Sequence, residues 1–197
     1  MLRVKICGIT NYSDAIASIN AGADALGFVF YKKSSRYISP SDAKKIIDRL
    51  PPFVGRVGLF VNEGVDTINT ISKYCNLTVS QIHFDVDEES LNHLDVRALP
   101  VIRVKEKKDI LKYSNRYRLV DVYSNDYGGT GERINLDWFD GIDCSKIILA
   151  GGLTPENLHE VKKYNFFGVD VSSGVEKIKG RKDHQKVKQF IKNAKSL

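Results

Sequence analysis

The chain has 197 residues, 42% of them hydrophobic, and a formal net charge of +6. That length buries one good core, which predicts a single domain over residues 1–197. The positive balance favours anionic partners, but the basic residues stand singly or in two tracts, Arg103 to Arg118 and Lys177 to Lys195, without the aromatic interleaving of a base-stacking surface. They read as solvated faces, with no nucleic-acid partner expected.

Three cysteines, Cys7, Cys75 and Cys144, form an odd set without metal-type spacing, which points to a reducing compartment. The N-terminus enters a charged strand directly with no signal-peptide hydrophobic region, and no apolar run has membrane-spanning length. A cytoplasmic protein with no membrane partner is the expectation.

Short Val-, Ile- and Leu-rich runs alternate with helical stretches, the pattern of a parallel sheet covered by helices. Strands are predicted at Val4 to Cys7, Ala25 to Phe30, Arg56 to Val61, Val79 to His83, Val101 to Val104, Leu119 to Val122, Ile147 to Ala150 and Gly168 to Val171. Eight strands close a (β/α)8 TIM barrel, here a compact α/β version. Helices are predicted over Asn11 to Asn20, Ser39 to Leu50, Val65 to Tyr74, Glu88 to Leu94, Pro155 to Tyr164 and Asp183 to Ala194, with another starting at Leu136 to Phe139. The fifth connection, Glu106 to Arg116, is short, basic and weakly amphipathic, so that helix is expected to be reduced or missing. No half-chain repeat is visible.

In such a barrel the C-terminal strand ends and the loops after them form one functional face. Cys7 closes the first strand, and Lys5, two residues earlier, shares its strand face. An ammonium there would favour thiolate and a role as base, whereas Cys75 and Cys144 read as buried core. Asp121 ends an otherwise apolar strand, where a carboxylate is costly unless it is paired or has work to do. After it come Asp126, a weaker candidate, and Gly128-Gly129-Thr130-Gly131, a candidate flap. Asp170 also interrupts an apolar strand, and two readings stand: a buried partner for Lys5 across the closing seam, or a substrate contact. Arg36, in the loop after strand two, has a fork suited to a carboxylate or phosphate. His83 ends the fourth strand and joins these residues as a weaker candidate for substrate binding. Near the C-terminus two small-residue turns, Gly151-Gly152 and Ser172-Ser173-Gly174, each follow an apolar run. In chain position and composition they suit a phosphate grip.

The segments KICGIT, GFVF with SSRYISP, VGLFVN, QIH, LVD with GGTG and LDW, LAGGLTPEN and VDVSSGVE, in this order and over nearly the whole chain, resemble the phosphoribosylanthranilate isomerase family of tryptophan biosynthesis. The resemblance implies an Amadori rearrangement of N-(5-phosphoribosyl)anthranilate to 1-(2-carboxyphenylamino)-1-deoxyribulose 5-phosphate without metal or cofactor, by a monomer or homodimer. It makes Cys7 the general base, Asp121 the general acid and Arg36 the group that holds the anthranilate carboxylate. It also assigns Gly151, Gly152, Ser172, Ser173 and Gly174 to the phosphate and Asp170 to the sugar. Two departures stand out: Phe84 replaces the glycine usual after QIH, which bears on His83, and Val122-Tyr123 follows Asp121 where a small polar residue is common. The sister isomerase of histidine biosynthesis resembles a doubled half-barrel with aspartate in the first-strand position; this chain has cysteine there and no repeat.

Overall fold

The computed structural model describes residues 1–123 and 133–197. Asp126 and the Gly128 to Gly131 cluster lie outside the described residues. Eight parallel strands, β1 (Arg3–Ile6), β2 (Ala25–Val29), β3 (Gly55–Phe60), β4 (Val79–Ile82), β5 (Arg97–Val104), β6 (Arg118–Val122), β7 (Ile147–Leu149) and β8 (Gly168–Val171), follow one another around a closed barrel. The seam is the pairing of β1 with β8, which sets Lys5 opposite Asp170 and Ile6 opposite Val171.

Alternation along the strands divides the apolar residues into two layers. Outward side chains such as Ile6, Leu26, Phe28, Phe60, Ile82, Val120 and Leu149 join the helices in one continuous core. There Phe30 and Phe60 stack with ring centroids 5.3 Å apart, and each fully buried side chain of this size contributes about 1.5–3 kcal/mol. Inward side chains form two smaller clusters. Val79, Leu99, Val101, Leu119, Ile148 and Ala150 make one; Cys7, Val29, Leu59 and Val61 make the other.

The α-helices among the described residues are α1 (Tyr12–Asn20), α2 (Pro40–Ile47), α3 (Val65–Tyr74), α4 (Glu88–Asn92) and α5 (His184–Lys195). Their starts are locally encoded: Asn11 caps α1 by accepting from the Asp14 N–H, Ser39 caps α2 ahead of Pro40, and Asp183 accepts from Gln185 and Lys186. Helix α5 buries Val187, Phe190, Ile191 and Ala194, one stripe at helical spacing.

Among the described residues, three connections hold short 3-10 turns at positions where α-helices would complete the ideal pattern. After β5 the turn spans Lys107–Leu111, the expected reduction of the fifth helix. After β6 it spans Leu136–Phe139 and after β7 Leu158–Lys163, where the sequence predicts helices. After β7 the Asn157 side chain accepts from the Thr154 N–H and donates to the Gly152 carbonyl, each at 2.9 Å, and Thr154 Oγ1 accepts from the Asn157 N–H at 3.4 Å. The reciprocal Thr154–Asn157 bonds form a capping box, so this start is locally encoded although a 3-10 turn follows it. Strand β5 begins at Arg97, ahead of the predicted Val101, because Arg97 to Pro100 pair with Val79 to Ile82 at the loss of only the proline's ladder donor. An unpredicted hairpin, β9 (Glu176–Ile178) with β10 (Arg181–Lys182), follows β8. Among the described residues no helix is long and apolar enough to cross a membrane.

Candidate active site

Cys7 follows β1 directly, its N–H donating to the Val171 carbonyl across the seam at 2.8 Å. Its Sγ lies over Gly27, where a Cβ would come within 2.8 Å of the sulfur and 3.0 Å of Lys5 Cε. Glycine at that position therefore lets the thiol and the lysine stem occupy the same level of the barrel interior. Lys5 Nζ donates to Asp170 Oδ1 at 2.7 Å, both residues buried. The seam pairing proposed for Asp170 is thus observed.

Electrostatics bind these groups to Asp121. Burial alone would lower the Lys5 pKa, but the charges and hydrogen bonds of Asp170 and Cys7 outweigh it and the ammonium is held above its usual range. Burial pushes the Cys7 thiol up, with Asp170 adding to the rise and Lys5 and Lys182 pulling against it. Lys5 therefore does not hold the thiol ionised by itself. The half-buried Asp121 is raised to about 6, first by burial and then by the charge of Asp170. The Val122 N–H, which Asp121 accepts at 2.8 Å, and the charges of Arg103 and Lys5 moderate the rise. His83, buried after β4, is lowered to about 4 by burial and by the positive charges of Arg103 and Lys5, so its imidazole is neutral near pH 7. Cys7, Asp121, Asp170 and His83 thus converge electrostatically on the Lys5 ammonium. Cys75 and Cys144 do not: they donate to the Pro40 and Ile142 carbonyls, and burial raises each thiol to about 11.

The two small-residue turns meet. Gly151 and Gly152 have φ of 87° and 60°, the left-handed region that glycine tolerates. Gly174 has no room for a side chain, because a Cβ would collide with the Leu153 carbonyl. The turns after β7 and β8 are therefore in van der Waals contact, and Ser172 and Ser173 sit beside that junction at the start of a one-turn 3-10 segment, Ser173–Val175. Ser172 Oγ donates to the Cys7 carbonyl at 3.2 Å, tying this turn to the end of β1.

Arg36 lies at the same rim: a Cβ on Gly8, whose φ is 76°, would come within 2.6 Å of Arg36 Cδ and 3.0 Å of Ser172 Oγ. Its guanidinium is buried against Glu176, with Nε and Nη2 donating to the two carboxylate oxygens at 2.9 and 2.8 Å. Lys182 Nζ donates to Glu176 at 3.0 Å and to the Ser172 carbonyl at 3.1 Å. Sequence reasoning missed Glu176, Lys182 and Arg103. The first two lie in a short charged hairpin without alternation; Arg103, on an otherwise apolar strand, was readable by the argument used for Asp121.

With this geometry in view, the relatives are informative. A family model described as N-(5'-phosphoribosyl)anthranilate (PRA) isomerase matches residues 4–193. The N-(5'-phosphoribosyl)anthranilate isomerase of Sulfurovum sp. is 64% identical over 196 residues, all of both chains. The crystal structure of the Thermotoga maritima phosphoribosyl anthranilate isomerase superposes with a TM-score of 0.93 at 43% identity, covering 100% of each chain. Another structure of monomers of that dimeric T. maritima enzyme gives 0.86 at 41%, again over 100% of each. A phosphoribosyl anthranilate isomerase in complex with reduced 1-(o-carboxyphenylamino)-1-deoxyribulose 5-phosphate gives 0.87 at 43%, with the same coverage. This chain therefore belongs to the phosphoribosylanthranilate isomerase family and catalyses that family's rearrangement in tryptophan biosynthesis.

Proposed function

We propose that Cys7 and Asp121 divide the proton transfers of this rearrangement across the barrel mouth, within one catalytic unit of residues 1–197. The observation that carries the reading is their shared Lys5–Asp170 environment, which leaves Asp121 able to hold a proton up to about pH 6. Protonated Asp121 donates to the ribose ring oxygen. The C1–O bond breaks, and the anilino nitrogen supplies the electron pair for a C1=N iminium. The cationic iminium acidifies the C2 proton and stabilises the thiolate form of Cys7, the form that starts the cycle. Cys7 takes that proton, and the C–H electrons form the C1=C2 bond of an enolamine. A proton gained at C1 and one lost from the C2 hydroxyl complete the ketone; a proton passing from Cys7 to Asp121 resets the enzyme.

Binding groups at the two ends of the substrate fix the reacting carbons between acid and base. Arg36 holds the anthranilate carboxylate. The joined turns with Gly151, Gly152, Ser172, Ser173 and Gly174 hold the phosphate through backbone N–H groups. Asp170 faces the sugar while retaining Lys5, and His83, neutral, lines the interior. The test pairs turnover with binding: Cys7→Ala and Asp121→Asn should lower turnover by about 10²–10⁴-fold yet bind a reduced product analogue within about threefold of wild type. Wild-type turnover in either variant would overturn its assignment.

The dimeric relative and Phe53, 98% exposed in the turn before β3, support a homodimer formed through the end opposite the site. Three buried free cysteines support a reducing cytoplasmic setting.

A further inference from the structure

The charges around Glu176 are unusual in number and in position. Arg36, Glu176 and Lys182 keep 10%, 5% and 0% of their side chains exposed, and together they carry one net positive charge. Buried ion networks of this kind are poor sources of stability, since apolar residues of similar volume often serve as well or better. This one joins three separate segments: the loop after β2, the turn after β8 and the β9–β10 hairpin.

An arginine fork has five N–H donors and can meet a carboxylate along either of two edges. Glu176 occupies the edge made by Nε and Nη2. Among the described residues no hydrogen bond is recorded from Nη1. Lys182 in turn holds the Glu176 carboxylate, and the Gly180 N–H donates to the same oxygen at 3.3 Å. The glutamate is thus fixed from behind while the arginine is fixed by the glutamate.

We propose that Glu176 is a positioning residue for this reaction: by taking one edge of the Arg36 fork it aims the other edge, Nη1 with Nη2, at the carboxylate of the aromatic ring. The inference rests on the reading of Arg36 as the carboxylate group. Glu176 also rations charge, because it cancels Arg36 or Lys182 but not both, and so leaves one positive charge for an anionic ligand at the rim.

Steady-state kinetics with N-(5-phosphoribosyl)anthranilate test it, using Glu176→Gln, Glu176→Asp, Arg36→Ala and the Arg36→Ala/Glu176→Gln double variant. Glutamine retains one acceptor. Aspartate retains the charge that faces Lys182 but is one methylene short of the fork. Both Glu176 substitutions should raise KM by about tenfold or more while kcat stays within about threefold, and Glu176→Gln should change KM by less than about twofold once Arg36 is absent. If Glu176→Gln does not fold by circular dichroism, the Glu176→Asp kinetics decide in its place. A KM increase that persists in the Arg36→Ala background would mean that Glu176 acts through Lys182 and Ser172, and would overturn the proposal. So would wild-type KM in Glu176→Gln and Glu176→Asp while Arg36→Ala raises it. An Arg36→Ala variant with wild-type KM would instead remove the carboxylate reading itself.

Discussion

The barrel interior has two halves built by the same alternation of strand residues. Toward the N-terminal ends, Val79, Leu99, Leu119 and Ile148 fill the tube with apolar side chains. Toward the C-terminal ends the apolar Val29, Leu59 and Val61 share the interior with Lys5, Cys7, His83, Arg103, Asp121 and Asp170, four of these six bearing formal charges. The contrast teaches that closure of the barrel does not require a polar interior: the lower half already shows how these strands pack when only stability matters. The upper half accepts the desolvation of several ionisable groups, and its perturbed protonation equilibria follow from that density of charge at low solvent exposure.

The sharpest way to separate the halves is by deletion. Removing the thiol with Cys7→Ala should lower kcat/KM by about 10²–10⁴-fold with little loss of stability, measured by turnover and urea melts on the same preparation. Removing a lower-half side chain with Leu119→Ala should do the reverse. It should cost about 2–5 kcal/mol in the urea melt and leave the kcat of the folded enzyme nearly intact. Equal losses of both properties in the two variants would erase the distinction.

Protonation supplies two gentler tests of opposite sign. His83 is held near 4 in the folded chain against about 6.5 unfolded, so the unfolded state binds more protons between these values. Its contribution is fully present above pH 6.5 and is lost as pH falls, by roughly 2–3 kcal/mol at pH 4. His83→Gln should flatten that part of the acid-stability curve. Asp121 behaves the other way: its folded value of about 6 exceeds the unfolded one near 4, so the folded state binds more protons and stability falls as pH rises from about 4 to about 6. Asp121→Asn escapes this cost. It should be more stable than wild type by roughly 1–3 kcal/mol at pH 7.5 and by nothing measurable at pH 4. A variant that destroys turnover and gains stability would mark the carboxylate as a group kept for chemistry.

The smallest expected effect lies in the pH profile. On the proposed roles the reactive combination is protonated Asp121 with ionised Cys7, and because Asp121 titrates near 6 and the thiol above its ordinary range, it is a minority form whose fraction is constant between the two. The kcat/KM profile should therefore be flat from about pH 6.5 to 8.5. A narrow peak within that window would contradict the pairing.

Most of the barrel was readable because its strands are short apolar runs punctuated by polar caps such as Asn11, Ser39 and Asp183, all of which are local signals. Placing Lys5 beside Cys7 needed only the two-residue period of a strand. The 3-10 turns after β6 and β7 were not readable, since amphipathic spacing and start signals such as Thr154 and Asn157 serve 3-10 and α turns alike. Nor was the Glu176 network: Arg36 meets its partner across 140 positions of chain, and the charged hairpin that delivers Glu176 and Lys182 has no periodicity of its own. The upward shift of the Cys7 thiol likewise depends on how completely the closed barrel excludes water, a property of the assembled tube.

The seam between β1 and β8 has a further consequence. Cys7 follows the first strand, whereas Asp170, Ser172 and Glu176 lie in and after the eighth, and α5 then latches these two ends of the barrel through Lys195, which donates to the Leu2 carbonyl. Until β8 docks beside β1, therefore, a folding chain holds Lys5 and the thiol without the Asp170 carboxylate that the closed seam sets against them.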